Sequence, residues 1–124
     1  MLVVDAANVV GSRPTGWWRD RAGAARAFVA RLRAAAESGL ITQPVVVVLE
    51  GKARAGARSG PADGVTVLHA DGSGDDKLID VVGGSAEQPV TLVTADRELR
   101  RRAESLGAQV VGPNWLLGLL EEDD

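Results

Sequence analysis

The chain has 124 residues, of which 45% are hydrophobic and 25% are charged, and its formal net charge is −3. This profile predicts one globular domain over residues 1–120, followed by an acidic tail, 121–124, that is expected to be disordered. With no cysteine and a single histidine, disulfides, thiolate metal sites and multi-histidine sites are excluded. The sequence shows no apolar run of about 20 residues and no leader pattern, so we expect a cytoplasmic protein without a membrane partner.

Five short apolar runs predict the strands of a sheet. All are rich in Val or Leu and lack the alternation of apolar and polar residues that a half-exposed strand shows. Such runs suit a parallel sheet that is covered on both faces. In chain order they span residues 2–4, 44–49, 65–68, 89–93 and 108–111.

The segments between these runs mostly predict helices. Apolar residues recur at helical spacing between Asp20, a suitable N-cap, and Gly39, a suitable C-terminal residue. Further patterns predict helices over 73–82, 97–106 and 113–120. The Gly-rich stretch 51–64 instead predicts a loop or a frayed short helix.

Strands that alternate with helices define the fold class. They predict a three-layer α/β/α domain with a mainly parallel, five-stranded sheet, because right-handed crossovers let the chain start in the middle of the sheet and wind outward. The expected strand order is 3-2-1-4-5. It places a switch point between the first and fourth strands, and ligands bind at the carboxyl ends of the strands there.

Acidic residues follow the predicted strands at this edge of the sheet. Asp5 ends the first strand, with Asn8 close behind it. Glu50 ends the second strand, and Asp96 follows the fourth. The helix before the fourth strand carries three more acids, Asp75, Asp76 and Asp80. Converging carboxylates repel one another, and oxygen-only ligands select Mg²⁺ or Mn²⁺, so the pattern predicts a metal site for phosphoryl transfer or phosphodiester hydrolysis.

Each acid also has a purely structural interpretation. Asp96 is a suitable N-cap for the helix that follows it. Ser73 and Asp76 have the spacing of a capping box, which leaves either Asp75 or Asp76 as the ligand. The acids that could instead face away from the site are Glu50 and Asp80.

Several segments, in order over nearly the whole chain, carry a family pattern. They are Val3-Val-Asp-Ala-Ala-Asn-Val9, the strand 45–49 with its terminal acid, Gly72-Ser-Gly-Asp-Asp-Lys-Leu-Ile-Asp80, Leu92-Val-Thr-Ala-Asp-Arg-Glu-Leu99, and Gly107-Ala-Gln-Val-Val111. Together they resemble the NYN (YacP-like) branch of the PIN-like nuclease domains. The resemblance implies a metal-dependent ribonuclease in which an acidic cluster holds Mg²⁺ or Mn²⁺.

The resemblance assigns roles residue by residue. It implies Asp5 and Asp96 as metal ligands. Asp76 is the expected third ligand, with Asp75 as its close rival. Asn8 would position water or substrate. Asp80 matches the second acid of the family's helix. Glu50 also lies where the family often has an acid, and a Glu rather than an Asp at this position leaves its role open.

The loop predicted over 9–18 supplies candidate contacts to RNA. Trp17 and Trp18 could stack on bases at the mouth of the site, and Arg13 and Arg19 beside them could contact phosphates. One or both Trp side chains could instead pack on the first long helix or form a dimer contact. The other phosphate-contact candidates are Arg97 and Arg101, one helical turn apart.

The sequence therefore predicts a metal-dependent ribonuclease that hydrolyses single-stranded or structured RNA. The alternative is a catalytically inactive PIN-like module that binds RNA or a protein. The sequence leaves three further partners open: an antitoxin, if the protein is a toxin-type ribonuclease, an RNA-processing partner, and a second copy of the chain in a homodimer.

Overall fold

The central strand of the sheet is buried along its whole length. In the computed structural model, which describes residues 1–85 and 87–121, the strand order is β3-β4-β2-β1-β5-β6. The strands are β1 (Leu2–Asp5), β2 (Val45–Leu49), β3 (Gly60–Ala62), β4 (Val65–His69), β5 (Thr91–Val93) and β6 (Gln109–Val111). All neighbours pair in parallel except β3 and β4, which are antiparallel.

The prediction of a five-stranded sheet is wrong by one strand. The five expected strands keep their predicted order, and β3 adds a sixth at the edge beside β4. Its Gly-Pro-Ala sequence lacks β-branched and aromatic residues, and Pro61 is tolerated because an edge strand has an unpaired side. Asp63 and Gly64 have φ values of 53° and 81°, as a two-residue hairpin turn requires.

The helices cover both faces of the sheet. They are α1 (Ala6–Gly11), α2 (Arg21–Ser38), α3 (Gly74–Gly84), α4 (Arg97–Ser105) and α5 (Pro113–Glu121), with short 3-10 helices at Trp17–Arg19 and Gly51–Gly56. The caps predicted for α2 are present, since Asp20 Oδ1 accepts from the Gly23 N–H at 2.8 Å and Gly39 adopts a left-handed φ of 84°.

Two local expectations need correction. The predicted loop 9–18 begins inside α1 and ends inside a 3-10 helix, because Asp5 caps a helix that starts directly after β1. Glu121, predicted as the first residue of the acidic tail, belongs to α5 and pairs with Arg13 at 3.1 Å. Residues 122–124 of that tail lie outside the described residues.

The core has one apolar cluster on each face of the sheet. Leu2 and Val4 of β1 join the cluster formed with α1, α2 and α5, whereas Val3 joins the cluster formed with α3 and α4. Successive strand residues point to opposite faces, so a strand covered on both sides is apolar throughout. None of the helices in the described part of the chain is long and apolar enough to cross a membrane.

The 3-10 helix at Gly51–Gly56 packs closely on α2, and Gly56 makes this possible. A Cβ at position 56 would lie 2.4 Å from the Ala22 carbonyl oxygen and 2.9 Å from the Ala25 Cβ. Overpacking of this kind costs about 1–3 kcal/mol. We therefore expect Gly56→Ala to lower the free energy of unfolding by that amount, measured by urea denaturation.

A matched glycine substitution is the control for this prediction. A Cβ at Gly118, inside α5, would meet nothing within 4 Å. Alanine is the better helix former by about 0.5–1 kcal/mol, so Gly118→Ala should leave stability unchanged or increase it. Equal urea midpoints for the Gly56→Ala and wild-type proteins would contradict the packing argument.

Candidate active site

The carboxyl ends of β1 and β5 are joined through the Asp5 side chain, which is only 8% exposed. Its Oδ2 accepts a hydrogen bond from Thr94 Oγ1 at 2.9 Å, and its Oδ1 accepts from the Asn8 N–H at 3.3 Å. Thr94 Oγ1 in turn accepts from the Asp96 N–H at 3.1 Å. One threonine hydroxyl therefore links the two aspartates at the switch point of the sheet.

Asn8 forms a second link across the same edge. Its Oδ1 accepts from the Ala95 N–H at 2.8 Å. This bond leaves the amide nitrogen of Asn8, a donor, as the group that could position water or substrate. Asp96 Oδ1 caps α4 by accepting from the Leu99 N–H at 2.9 Å, and its second carboxylate oxygen takes no part in that cap.

Glu50 connects the end of β2 to the first turn of α3. Its Oε2 accepts from the Gly74 N–H at 2.6 Å. A Cβ at Gly74 would lie 3.1 Å from that oxygen, so glycine allows the close approach. Ser73, the N-cap of α3, accepts from the Asp75 N–H at 3.2 Å. These bonds hold the start of α3 at the edge that carries Asp5.

The electrostatics show that these carboxylates act on one another. The pKa of Asp5 is raised to about 6, chiefly by burial and to a smaller extent by the charges of Asp75 and Glu50, while the hydrogen bonds from Thr94 and Asn8 act to lower it. The pKa of Asp75 is raised by burial first and then by acidic neighbours. Those neighbours are Asp96, Glu50 and Asp76, and Arg102 opposes them.

Asp76 and Asp80 differ from the other acids in their surroundings. The Asp76 side chain is 80% exposed, and its Oδ1 pairs with Arg102 Nη2 of α4 at 3.3 Å. Asp80 is exposed on α3, beyond Asp76. The predicted site residues that the structure brings together are Asp5, Asn8, Glu50, Asp75 and Asp96.

The donor chemistry of this cluster bears on metal binding. Among residues 1–85 and 87–121, no three Asp, Glu or His side chains form a ready-made group that could hold an ion. Mg²⁺, however, keeps several waters and takes one or two carboxylates together with substrate phosphates. The carboxylates of the cluster are hard oxygen donors, so they fit such an ion by their chemistry rather than as a preformed cage.

The predicted phosphate contacts lie in several places. Arg101 pairs with Glu98 on α4, with Nε 3.2 Å from Oε2, and this bond raises the pKa of Arg101. Arg97 is exposed at the start of the same helix. Arg13 pairs with Glu121 and lines a separate cavity beside α5. Of these cations, Arg97 is therefore the one next to the acidic cluster along the chain.

The two tryptophans of the 3-10 helix have different exposures. Trp18 is 52% exposed, and the Arg19 guanidinium lies 5.8 Å from its ring centroid. Trp17 is partly buried and packs near Gly11, and the Arg21 guanidinium lies 5.3 Å from its ring centroid. The rings of the pair meet edge to face.

A cavity of about 430 Å³ adjoins the acidic cluster, and sequence reasoning missed it. Glu50, Trp17 and Arg21 supply its polar and aromatic lining. The remaining wall consists of small and apolar residues from α1, α2, β2 and the 3-10 helix Gly51–Gly56, together with Gly72. Arg21 is not among the predicted site residues, since its place in the wall depends on how α2 packs.

A comparison with solved structures shows that the chain has a YacP-like fold. The structure concerned is that of a mutant of Rae1 (YacP) from Bacillus subtilis, with a TM-score of 0.76 and 16% sequence identity. The match covers 98% of this chain and 74% of that one. No family model matches the chain, and no curated protein matches it by sequence.

Proposed function

We propose that this protein is a metal-dependent ribonuclease whose active site is the acidic cluster at the carboxyl edge of the sheet. The observation that carries the proposal is the burial of Asp5 among like charges, which raises its pKa to about 6. Buried carboxylates that repel one another are costly, and shifted pKa values of this kind are concentrated at functional sites. The YacP-like fold and the resemblance to PIN-like ribonucleases support the same function.

Asp5, Asp75 and Asp96 are the residues that would hold Mg²⁺ or Mn²⁺. When bound, such an ion supplies positive charge that activates water and stabilises the charge developing on the phosphate. The protein's part is to fix the donors: Thr94 orients Asp5 and the backbone of Asp96 together. The amide nitrogen of Asn8 would orient water or a phosphate oxygen.

Single-stranded RNA is the substrate class that the surroundings of the site favour. The exposed Trp18 offers a ring on which a base can stack, and Arg19 beside it offers a cation for phosphate. These are the features expected of a surface that binds unpaired nucleotides. The exposed Arg97 would contact the phosphate backbone on the α4 side.

The test is cleavage of a 5′-labelled single-stranded RNA in Mn²⁺ or Mg²⁺, with EDTA and with an Asp96→Asn protein prepared in parallel. We expect cutting that requires metal and falls about tenfold or more in the variant, because one carboxylate donor is lost. Asparagine caps helices as well as aspartate does, so α4 should stay intact.

Three outcomes would contradict the proposed function. Cutting that persists in EDTA would argue against a metal-dependent mechanism. Equal rates for the wild-type and Asp96→Asn proteins would point to a contaminating ribonuclease. If the intact protein bound RNA without cutting it, the non-catalytic binding module would be the better description.

A further inference from the structure

The cavity beside the acidic cluster has the size and position of a site for one nucleotide base. Its volume of about 430 Å³ lies within the range of small-molecule sites, roughly 300–1,000 Å³. Ala7, next to Asn8 along the chain, and Glu50, which acts on Asp5, both line it. A base in the cavity would therefore belong to a nucleotide close to the acidic cluster.

The walls of the cavity suit a flat aromatic group. Apart from two charged side chains, its lining is made of small or apolar residues and the indole of Trp17. Bases that leave a nucleic-acid stack are bound by aromatic rings and guanidinium planes. Trp17 and the Arg21 guanidinium, 5.3 Å from the ring centroid, provide both kinds of surface.

The two charged groups in the wall differ in what they can bind. Glu50 offers carboxylate oxygens, which only accept hydrogen bonds when ionised, whereas Arg21 only donates. Glu50 Oε2 is held by the Gly74 N–H at 2.6 Å. This bond orients the carboxylate, and Oε1 and the second lone pair of Oε2 can still accept from a ligand. The cavity thus pairs an acceptor with a donor.

We propose that this cavity binds a guanine base of the RNA, with Glu50 as the specificity-determining residue. The proposal rests on the ribonuclease function proposed above. Guanine presents two adjacent donors, N1–H and the N2 amino group, to a carboxylate, and its O6 and N7 accept from an arginine. Uracil has a single N3–H between two carbonyl oxygens, which a carboxylate repels. Glu50 then recognises the base, and Asp5, Asp75 and Asp96 would hold the metal.

The experiment measures binding separately from cleavage. Fluorescence anisotropy in EDTA compares labelled oligouridylates that carry one central guanosine, one central inosine or uridine alone. A good bidentate contact discriminates by about tenfold or more, so we expect the wild type to prefer guanosine over uridine by that factor. Inosine, which lacks the N2 amino group, should fall between them.

Substitution of Glu50 and a matched control make the test specific. Glu50→Gln keeps the shape of the side chain, and its amide oxygen can still accept from Gly74. The amide nitrogen would then face the base as a donor, so the preference for guanosine should fall to about twofold or less. Glu37→Gln, at the far end of α2, should keep the full preference.

The outcomes separate this proposal from the proposed function. Equal affinity of the wild type for guanosine and uridine strands, absence of measurable binding, or an unchanged preference in a folded Glu50→Gln protein would overturn the base site. Metal-dependent cutting without a guanosine preference would leave the ribonuclease intact and remove the base site. A preference for guanosine without cutting would support the base site and contradict the ribonuclease function.

Discussion

Replacement of Asp5 by asparagine should lower metal-dependent RNA cleavage on the order of 100-fold or more, yet make the metal-free protein more stable at neutral pH. The loss of activity follows from the loss of a central donor for the metal, whose charge stabilisation contributes several kcal/mol to such reactions. The gain in stability follows because the ionised Asp5 carboxylate is buried beside Asp75 and Glu50.

The pH dependence of this gain follows from the raised pKa. The pKa of Asp5 is about 6 in the folded chain, against the ordinary value of 3.8 for an aspartate. The folded protein therefore holds the proton more tightly, and this contribution to stability is fully present below about pH 4. It is lost as the pH rises through about 6, and ionised Asp5 then costs about 3 kcal/mol relative to the acid limit.

Thermal unfolding in EDTA at pH 4 and pH 7.5 measures the effect. Some of the gain is offset because an asparagine side chain pairs less well with Thr94, at a cost of about 1 kcal/mol. A net gain of about 2 kcal/mol would raise the Tm of Asp5→Asn by roughly 5–10 °C at pH 7.5, and the gain should vanish at pH 4.

Asp80→Asn is the control for the stability measurement, since Asp80 is exposed on α3. Its Tm should follow that of the wild type at both pH values. An Asp5→Asn protein that unfolds below the wild type at pH 7.5, or a gain that does not change with pH, would contradict the account of Asp5.

The parts of the fold that the sequence predicts correctly are those in which local residue preferences and tertiary packing favour the same structure. The β1 and β2 strands are apolar throughout because both faces are covered, and α2 has a cap residue at each end, Asp20 and Gly39. The order of the five expected strands follows from the right-handed crossover rule. These features need no knowledge of distant contacts.

The strand that was not predicted, β3, is followed by a recognisable turn sequence, but its own residue composition is not typical of a strand. Asp63-Gly64 is a strong two-residue hairpin sequence, but the preceding Gly-Pro-Ala segment has no apolar alternation. Its pairing with β4 depends on backbone hydrogen bonds at an edge rather than on side chains that face a core. A pattern of hydrophobicity cannot detect such a strand.

The candidate site was predictable as a location but not in its details. Strand ends determine where Asp5 and Asp96 lie, so the topology alone brings them to one edge. The direction of an acid on α3 depends instead on the rotation of that helix and on its neighbours. Arg102, which lies 26 positions after Asp76, turns that acid toward α4, and no local sequence signal shows this.

The choice between Asp75 and Asp76 yields the second prediction of large effect. The sequence pattern leaves either acid as the ligand, and the family resemblance implies Asp76, with Asp75 as its close rival. Asp75, however, is the one whose pKa is raised by burial and by the charges of Asp96 and Glu50. We expect Asp75→Asn to lower single-turnover cleavage on the order of 100-fold, because a donor facing the other carboxylates is lost.

Asp76→Asn is the matched comparison on the adjacent residue. It removes an ion pair whose carboxylate is 80% exposed, and such pairs contribute about 0–1 kcal/mol. Cleavage by Asp76→Asn should therefore stay within about threefold of the wild type. Both variants are assayed at one saturating Mn²⁺ concentration after their folding is checked by thermal unfolding. A larger loss in Asp76→Asn than in Asp75→Asn would restore Asp76 as the ligand and show that α3 presents its other acid to the substrate.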